Sequence, residues 1–586
     1  MNINFSGLTK EYAGKTIFEN LKGQINDGDK IGLIGANGAG KTTLARILAG
    51  EEVKDAGEID YSPSYLKILY IQQYPEFDKG ITVYEDILGF ISRWNEDKNR
   101  KNPSEIATVA KTVLNKVGLE EKFWHRTALS LSGGEKTKLA LSRMFAVDFD
   151  LLVLDEPTNH LDIGSCEWLE DFIKNLDKPM LIISHDRFFL DRTVNRIWDL
   201  SSRGLKVYEG NYTQYKANRE IEIKSITRIY LKQQDRIQQL KAMIDEREKW
   251  FHRAHKSAGQ NDFYRSKAKK QASAMKAKKT QLERLESEKV ERPPKELSPA
   301  FDVINKYTAG RKFPRFLIQG RNISKSFGKN AVLDKISFDV GRGDKIAVIG
   351  ANGSGKTTLL KIVNGVYNDY EGTLNISPQV KIGYFSQELE NLDFEATVLD
   401  AVLCGEATIQ EARLLLASLL FRGDDVYMKV AGLSMGEKGR VAFAKLILSG
   451  ANLLVLDEPT NYMDIQSREN IEEALEQFEG SVLFVSHDRY FINRLAKRIF
   501  HLKNGKLYIF DGNYENYLLR MDNQKAENNG EKLYKDLQES IMKLELELAY
   551  LSGKLDQAQD EEEKEALNRR YLELARELNQ KKYRLE

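Results

Sequence analysis

The chain is 586 residues long, 41% hydrophobic and 30% charged, with 88 Lys and Arg against 87 Asp and Glu for a net charge of +1. That length predicts two or more domains, and no apolar run approaches the roughly 18–20 residues of a bilayer span, which excludes a membrane-embedded chain. Met1-Asn-Ile-Asn-Phe-Ser6 lacks a basic region ahead of an apolar stretch, and two cysteines, Cys166 and Cys404, make neither a disulfide framework nor a metal cage, so a reducing cytoplasm is expected.

Short aliphatic runs alternate with helical patterns, which predicts an α/β fold with a largely parallel sheet. Ile31–Ile34 reads as a strand entering Gly35-Ala-Asn-Gly-Ala-Gly-Lys-Thr42. A polar segment within about residues 74–122 follows, then Leu131-Ser-Gly-Gly-Glu135. Leu151–Leu154 reads as a buried strand ending in Asp155-Glu156-Pro-Thr-Asn159, and Leu181–Ser184 as another running into His185-Asp-Arg187. Residues 213–292 differ: Gly and Pro are missing until Gly259 and again until Pro293-Pro294, while Ile226, Ile229, Tyr230, Ile237, Leu240 and Ile244 keep near-helical spacing. Two antiparallel helices are predicted there, turning at Gly259-Gln-Asn-Asp262, the first about 40 residues or roughly 60 Å long. Residues 293–317 connect onward.

The earlier blocks then recur in order. Ile346–Ile349 enters Gly350-Ala-Asn-Gly-Ser-Gly-Lys-Thr357, followed by Leu433-Ser-Met-Gly-Glu437, Leu453–Leu456 with Asp457-Glu458-Pro-Thr-Asn461, and Leu483–Ser486 with His487-Asp-Arg489. The offset is 302 residues from Ser132 to Ser434, from Asp155 to Asp457 and from His185 to His487, but 315 from Lys41 to Lys356. The first copy therefore carries 13 extra residues between its glycine-rich loop and its serine-glycine signature. A repeat of this length is a duplicated domain. Residues 531–586 end the chain with a heptad-like pattern (Leu533, Leu537, Ile541, Leu544, Leu548, Leu551) and a predicted break near Ser552-Gly553, a smaller helical hairpin.

The chemistry lies in the repeated blocks. Gly35, Asn37, Gly38 and Gly40, and likewise Gly350, Asn352, Gly353 and Gly355, let backbone N–H groups converge on a phosphate at a helix N-terminus. Lys41 and Lys356 reach the β- and γ-phosphates, Thr42 and Thr357 offer hydroxyls to Mg²⁺, and Thr43 and Thr358 stand beside them as further nucleotide contacts. Asp155 and Asp457, each ending an apolar strand, suit Mg²⁺ held through water. Glu156 and Glu458 suit the orientation or deprotonation of an attacking water. Ser132 with Gly134, and Ser434 with Gly436, open helices whose N-termini attract anions. His185 and His487 follow strands and suit contact with a γ-phosphate. A lone Asp-Glu pair or a lone histidine is weak evidence; their ordered duplication is strong.

These motifs resemble those of the ATP-binding cassette (ABC) ATPases, over about residues 1–212 and 318–515. The resemblance implies that the two cassettes stack head to tail, with ATP between the phosphate loop of one and the signature of the other. It also implies that Gln73 and Gln387 contact metal and water, that Tyr12 and Phe327 stack on adenine, and that Asp162 and Asp464 belong to the loop after the catalytic strand. One departure stands out: Met435 replaces the glycine found at Gly133, opposite the Lys41 loop, which predicts unequal turnover at the two sites.

Three classes of partner remain open for such an ATPase: a membrane importer, DNA in repair or chromosome maintenance, and the ribosome. The segment between the copies discriminates. Residues 216–290 hold 20 Lys and Arg against 10 Asp and Glu, and Lys249–Lys279 hold 10 basic residues against Asp262 alone. The same end carries Trp250, Phe251, His252, His255, Phe263 and Tyr264 among Lys249, Arg253, Lys256, Arg265, Lys267, Lys269 and Lys270. Basic side chains neutralise phosphates and aromatics stack on splayed bases, so this tip suits structured RNA. The alternative is a solvated hairpin whose aromatics close its own tip.

Two cassettes joined by a basic hairpin of about 80 residues resemble the ABC-F proteins over essentially the whole chain. That resemblance implies a monomer whose cassettes dimerise intramolecularly around ATP and Mg²⁺. Its partner is then the 70S ribosome, with the linker in the tRNA exit site near 23S rRNA, P-site tRNA and the peptidyl-transferase centre. The short first-cassette arm, long linker and C-terminal hairpin favour ribosome protection against large-subunit antibiotics. A housekeeping factor that regulates or rescues elongation is the alternative, and an importer subunit a weaker one. The implied divisions are 1–212, 213–292, 293–317, 318–515 and 531–586.

Overall fold

The structure is a computed structural model that describes residues 1–73, 75–94, 103–159, 161–201, 203–257, 262–288, 301–306, 314–328, 330–386, 392–403, 407–557 and 561–583. Within these, the side chains of 250–257, 262–269, 271, 272, 274, 301, 302, 524–537, 539, 553, 555–557, 561–563, 566 and 583 are left undescribed.

Each repeat is built on a parallel sheet. In the first, the order is Ile68–Ile71, Leu151–Asp155, Met180–Ile183, Lys30–Gly35, Arg196–Ser201 and Gly204–Glu209, with the last strand antiparallel. The four central strands of the second, Ile382–Phe385, Leu453–Asp457, Ser481–Val485 and Lys345–Gly350, take the same order. Leu-Leu-Val-Leu-Asp is buried at every residue in both copies. A strand covered on both faces needs such a continuous apolar run rather than an alternating one. A three-stranded antiparallel sheet packs against each: Lys15–Asn26, Asn2–Tyr12 and Ala56–Ser62 in the first repeat, Asn330–Gly341, Phe316–Phe327 and Glu371–Ile376 in the second.

The glycine-rich loops leave the strands Lys30–Gly35 and Lys345–Gly350 and open the helices Lys41–Leu48 and Lys356–Val363. Gly40, at φ 93°, is left-handed, and a Cβ on it would lie 2.6 Å from Ile17 Cγ2. A side chain at Gly35 would meet the Leu200 carbonyl at 2.3 Å. Both positions require glycine, which fixes the loop geometry.

The extra residues of the first repeat lengthen two helices. Val83–Trp94 and Pro103–Lys116 run 12 and 14 residues, against 5 and 10 for Val398–Val402 and Ile409–Ser418. Their apolar faces form a cluster with Val83, Ile87, Ile91, Val113 and Leu114 at its centre.

The first linker helix, Tyr212–Ser257, is 46 residues long, about 70 Å at 1.5 Å per residue. It exceeds the predicted length because nothing from Tyr212 to Ser257 breaks it. The return helix is Asp262–Ser287; of the predicted turn Gly259–Asp262, Asp262 opens this helix and residues 259–261 lie outside the described residues. Ile237, Leu240 and Ile244 are buried. Lys241–Glu286 at 2.8 Å and Lys279–Glu248 at 2.6 Å flank that seam. Within the connector, the short helix Phe301–Asn305 docks on the second repeat, where Asn305 donates to the Gln477 carbonyl at 3.0 Å and accepts from the Glu479 N–H at 2.8 Å.

The C-terminal helices, Tyr514–Gln557 and Glu561–Tyr583, belong to a unit of their own. They pack through Leu544, Leu548, Leu551 and Leu574. The break comes later than the predicted Ser552-Gly553: the first helix continues through both residues to Gln557 and the second begins at Glu561. A helical glycine costs about 1 kcal/mol, less than the roughly 1.5–3 kcal/mol gained by burying one leucine of the seam. Among the described residues no helix is long and apolar enough to cross a membrane.

Leu240 is 1% exposed at the middle of the linker seam. Leu240→Ala is expected to remove about 2–3 kcal/mol from the hairpin. Limited proteolysis should show faster cleavage within 213–288, with ATP binding by the two repeats unchanged.

Candidate nucleotide sites

Strand ends and loops assemble the same constellation twice. Lys41 Nζ donates to the carbonyls of Gly35 and Ala36 at 2.9 and 3.0 Å, and Lys356 Nζ to those of Gly350 and Ala351 at the same distances. Both ammonium groups are buried, which lowers their pKa from the usual lysine range. The Thr42 and Thr357 hydroxyls stand close enough to Asp155 and Asp457 to favour their ionised forms against the effect of burial.

Glu156 and Glu458 sit at φ 48° and 49°, in the left-handed region that non-glycine residues rarely adopt. The backbone is held there because the Glu156 N–H donates to the Ile183 carbonyl at 2.8 Å and the Glu458 N–H to Val485 at 3.0 Å. Strain repeated at the same position of both copies marks a turn that aims the carboxylate. Each carboxylate accepts the following histidine's N–H at 3.3 Å, His185 for Glu156 and His487 for Glu458. Nε2 of each histidine lies 3.5 Å from the same carboxylate.

Burial, with Asp155 adjacent, pushes the Glu156 carboxyl up to about 7, and burial pushes Glu458 up to about 7. Burial likewise raises Asp457 to about 6 and holds Asp155 above the usual range. The histidines move the other way: burial beside Lys41 takes His185 well below its ordinary value, and His487 falls to about 3. Both imidazoles are therefore neutral at pH 7 and can donate one hydrogen bond while accepting another.

Two cavities lie between the repeats. One, of about 360 Å³, is lined by Asn37, Gly38, Gly40, Lys41, Thr42, Thr43, Gln73, Asp155, Glu156 and His185, and closed by Tyr462 and Arg468 of the second repeat. The other, of about 490 Å³, is lined by Phe327, Asn352, Gly353, Gly355, Lys356, Thr357, Thr358, Asp457, Glu458 and His487, with Ser132, Gly133 and Gly134 of the first repeat opposite. Head-to-tail stacking is thus the observed geometry. Asp162 accepts the Asn352 N–H at 3.0 Å and Asp464 accepts the Asn37 N–H at 3.3 Å.

The two sites are not equivalent. Ser132 caps its helix in a box with Glu135 and faces the larger cavity. Ser434 makes the same box with Glu437, yet Ser434, Met435 and Gly436 are not among the residues lining the smaller cavity. Gly436 packs instead against the neighbouring loop, where a Cβ would come within 2.5 Å of the Tyr462 carbonyl and 3.3 Å of Asn37 Nδ2. Phe327 lines its cavity beneath Lys325, 4.9 Å from the ring centre. Tyr12 does not line the smaller cavity; its hydroxyl is bound to the Glu52 carboxylate. Gly35 and Gly350 hold the loops from behind, and Gln387 lies outside the described residues.

The donors fit Mg²⁺ with a nucleotide. Among the described residues, Asp155 Oδ1, Glu156 Oε1 and Glu458 Oε1 are buried with no hydrogen-bond partner, the usual mark of a polar site shaped for something else. Among the described residues no group of three His, Cys, Asp or Glu could cage a metal alone. Mg²⁺ does not need one, since phosphates and water complete its shell. Thr42, Gln73 and Asp155 would hold it in one site, and Thr357 and Asp457 in the other.

Several residues at these sites went unread in the sequence. The Tyr70 hydroxyl donates to Asp155 Oδ2 at 3.1 Å. Arg187 donates to Glu472 of the other repeat at 3.1 Å and lies 3.5 Å from Asp488. Arg489 pairs with Glu170 of the first repeat and lies 3.7 Å from Asp186. The signal was available: Arg187 and Arg489, and Glu170 and Glu472, each repeat at the 302-residue offset.

Of the linker tip, the helices Tyr212–Ser257 and Asp262–Ser287 carry every named residue. Lys249 and Lys270 are exposed, and Lys249 pairs with Asp245 at 2.7 Å. The side chains of Trp250, Phe251, His252, Arg253, His255, Lys256, Phe263, Tyr264, Arg265, Lys267 and Lys269 lie outside the described set.

The raised carboxyls have a consequence for stability. Glu156 and Glu458 titrate near 7 in the fold, against about 4.3 in an unfolded chain. The ionised form therefore costs stability above about pH 7, and the cost fades as pH falls toward the unfolded value. In nucleotide-free protein, Glu156→Gln with Glu458→Gln is expected to raise Tm at pH 8, and the gain over the parent should close toward pH 5. A gain independent of pH would contradict it.

Two family models, both described as ABC transporter, match the chain, one over residues 18–159 and again over 333–461, the other over 198–303. YdiF of Bacillus subtilis (strain 168), whose name assigns it ATP binding, is 34% identical across 88% of this chain and 82% of its own. ABC transporter F family member 5 of Arabidopsis thaliana is 32% identical across 88% and 78%. The ribosome protection protein VmlR of Bacillus subtilis (strain 168) is 32% identical across 94% and 93%. With this likeness over nearly its whole length and two nucleotide cavities between its repeats, the chain belongs to the ABC-F family and is an ATPase of two α/β cassettes.

Proposed function

We propose that the protein is a cytoplasmic, ATP-hydrolysing factor that binds the 70S ribosome and protects it from antibiotics of the large subunit. The observation that carries this reading is the linker: a helix of 46 residues between two cassettes, leading to a stretch, Lys249–Lys279, with 10 basic residues and one acid. An importer subunit has no use for such an arm, whereas RNA phosphates attract it and unpaired bases stack on its aromatics. Lys249, Trp250, Phe251, His252, Arg253, Lys256, Phe263, Tyr264, Arg265, Lys267, Lys269 and Lys270 are the proposed contacts, to 23S rRNA and P-site tRNA, with the hairpin in the tRNA exit site. Likeness to a protein named for ribosome protection, over 94% of this chain and 93% of that one, supports the protective role over a housekeeping one.

In each proposed site the loop glycines and lysine bind the phosphates of ATP, and His185 or His487 orients the terminal one by a hydrogen bond. Mg²⁺, when bound, would screen the phosphate charge and fix its geometry. Glu156 or Glu458 takes a proton from water as the water oxygen bonds to the γ-phosphorus and the bond to the β-phosphate oxygen breaks, releasing ADP. A carboxyl near 7 suits this task, since such a base is partly ionised at working pH and holds the proton long enough to pass it on. Closure brings each loop against the other cassette, so ATP favours the closed state and hydrolysis releases it.

The ribosome reading is tested by sedimentation of the Glu156→Gln, Glu458→Gln variant with ribosomes and ATP, where co-sedimentation is expected and its failure rejects the reading. In a sensitive bacterium, expression is expected to raise inhibitory concentrations of lincosamides, pleuromutilins, streptogramins A or phenicols. Deleting residues 250–264 is expected to abolish that effect while ATPase activity stays within about twofold. Binding without altered inhibitory concentrations would assign the housekeeping role.

Met435 and the unlike cavity walls lead to a separate expectation. Glu156→Gln and Glu458→Gln, made singly, are expected to lower steady-state ATP turnover to different extents, with the larger loss from Glu458→Gln because its cavity faces the unaltered signature. Equal losses would remove the asymmetry.

A further inference from the structure

The 302-residue offset maps the charged residues of the closing surface onto like residues: Asp186 onto Asp488, Arg187 onto Arg489, Glu170 onto Glu472. One position breaks the pattern. Cys166 is answered by Arg468. Both lie near the start of the helix capped by Asp162 or Asp464, and both are buried. Arg468 Nε donates to the Met463 carbonyl at 3.0 Å and Nη1 to Asp488 at 3.2 Å, while Nη2 makes no hydrogen bond among the described residues.

Arg468 lines both nucleotide cavities. On one side it shares a wall with Lys41, Glu156 and His185 of the other cassette, and on the other with Lys356, Glu458 and His487 of its own. Its charge acts on both glutamates and on His185. A merely structural role does not explain it. Asp488 already has Arg187 at 3.5 Å, and its counterpart Asp186 manages in the first cassette with Arg489 at 3.7 Å and a cysteine where Arg468 would be. The motif therefore folds without this arginine.

We propose that Arg468 is a positioning residue that couples the two ATP sites, a single cation shared by both cavities that supports turnover in its own cassette and, in trans, at Glu156. Negative charge arriving in one cavity draws on the same guanidinium that serves the other, so occupancy of one site changes turnover at the other. The inference rests on the assignment of Glu156 and Glu458 as the bases of the two sites.

The test measures kcat and KM for ATP with Arg468→Cys, Arg468→Lys and the exchange Cys166→Arg with Arg468→Cys, each also combined with Glu156→Gln or Glu458→Gln. Arg468→Cys is expected to lower kcat about tenfold in both single-site backgrounds, within the range of mutations that alter communication between two sites, with KM moving less. Arg468→Lys should recover most of the loss, and the exchange should restore turnover by returning the cation to the mirror position. Loss in one background only, no rescue by lysine, or a fall confined to KM would overturn the proposal. If Arg468→Cys lowers Tm by more than a few degrees, Arg468→Gln carries the same expectation, because its amide overlays Nε and keeps a donor for the Met463 carbonyl, while Asp488 retains Arg187 at 3.5 Å. Should neither Glu156→Gln nor Glu458→Gln alone slow turnover, the assignment of the bases fails instead, a result distinct from failure at Arg468.

Discussion

The crossed ion pairs Arg187–Glu472 and Arg489–Glu170 are the constraint on which the rest of the closed cassettes depends. Glu170 is fully buried and Glu472 nearly so, and each finds a principal cation on the opposite cassette. A buried carboxylate without its partner is costly, of the order of 3–5 kcal/mol when one member of such a pair is removed. The pairs are therefore weak as glue and strong as register: they tolerate this alignment of the two cassettes and penalise others. In this register each glycine-rich loop meets the other cassette, at Asp464 for Asn37 and at Asp162 for Asn352, and two cavities result.

A clamp built this way is sensitive to charge in its cavities. Each site holds an ammonium group turned onto its own loop carbonyls, a carboxyl raised toward neutrality by burial, and a neutral histidine. These groups are arranged for an anion that would take the lysine's hydrogen bonds and offset its charge. On the proposed function, the nucleotide completes an interface that the protein alone leaves with orphaned oxygens, at Asp155, Glu156 and Glu458. A ligand that makes contacts only in the closed form shifts the population toward it. The linker helix starts at Tyr212, directly after the last strand of the first sheet, and Lys216 pairs with Glu469 of the second cassette at 2.8 Å. Closure and the setting of the hairpin base thus share residues.

Much of this was legible in the sequence because the relevant spacing is local. Each glycine-rich loop lies between a strand and a helix that its own neighbours define, and Asp155-Glu156 follows an apolar run that only a buried strand explains. The long hairpin was legible from the missing glycines and prolines. What escaped was decided by distance along the chain or by competition between small energies. Arg187 and Glu472 are 285 residues apart, and the 302-residue repeat marks each as duplicated without saying that they pair. Tyr70 reaches Asp155 because two strands pair in parallel register, a fact of the sheet. At Ser552-Gly553 a helix-breaking signal did not end the helix, whose leucine seam runs up to Leu551 and whose backbone continues to Gln557. Tyr12 and Phe327 hold equivalent places before their loops but differ in setting: the Tyr12 hydroxyl is engaged by Glu52, while Phe327 lines the larger of the two cavities.

The duplication is thus close to symmetric in its backbone and unsymmetric in its chemistry. Gly133 corresponds to Met435 and Cys166 to Arg468 at the 302-residue offset, and the cavities differ in volume, about 490 against 360 Å³. Symmetric ion pairs hold the two halves in one register, so these differences cannot be absorbed by sliding one cassette relative to the other. On the proposed function they would appear instead as differences in how each site binds and turns over nucleotide. A two-site clamp with equal sites would open at random from either side. Unequal sites sharing Arg468, as proposed, would impose an order, and an ordered release is what a factor needs if its hairpin must stay placed until one particular hydrolysis event has occurred.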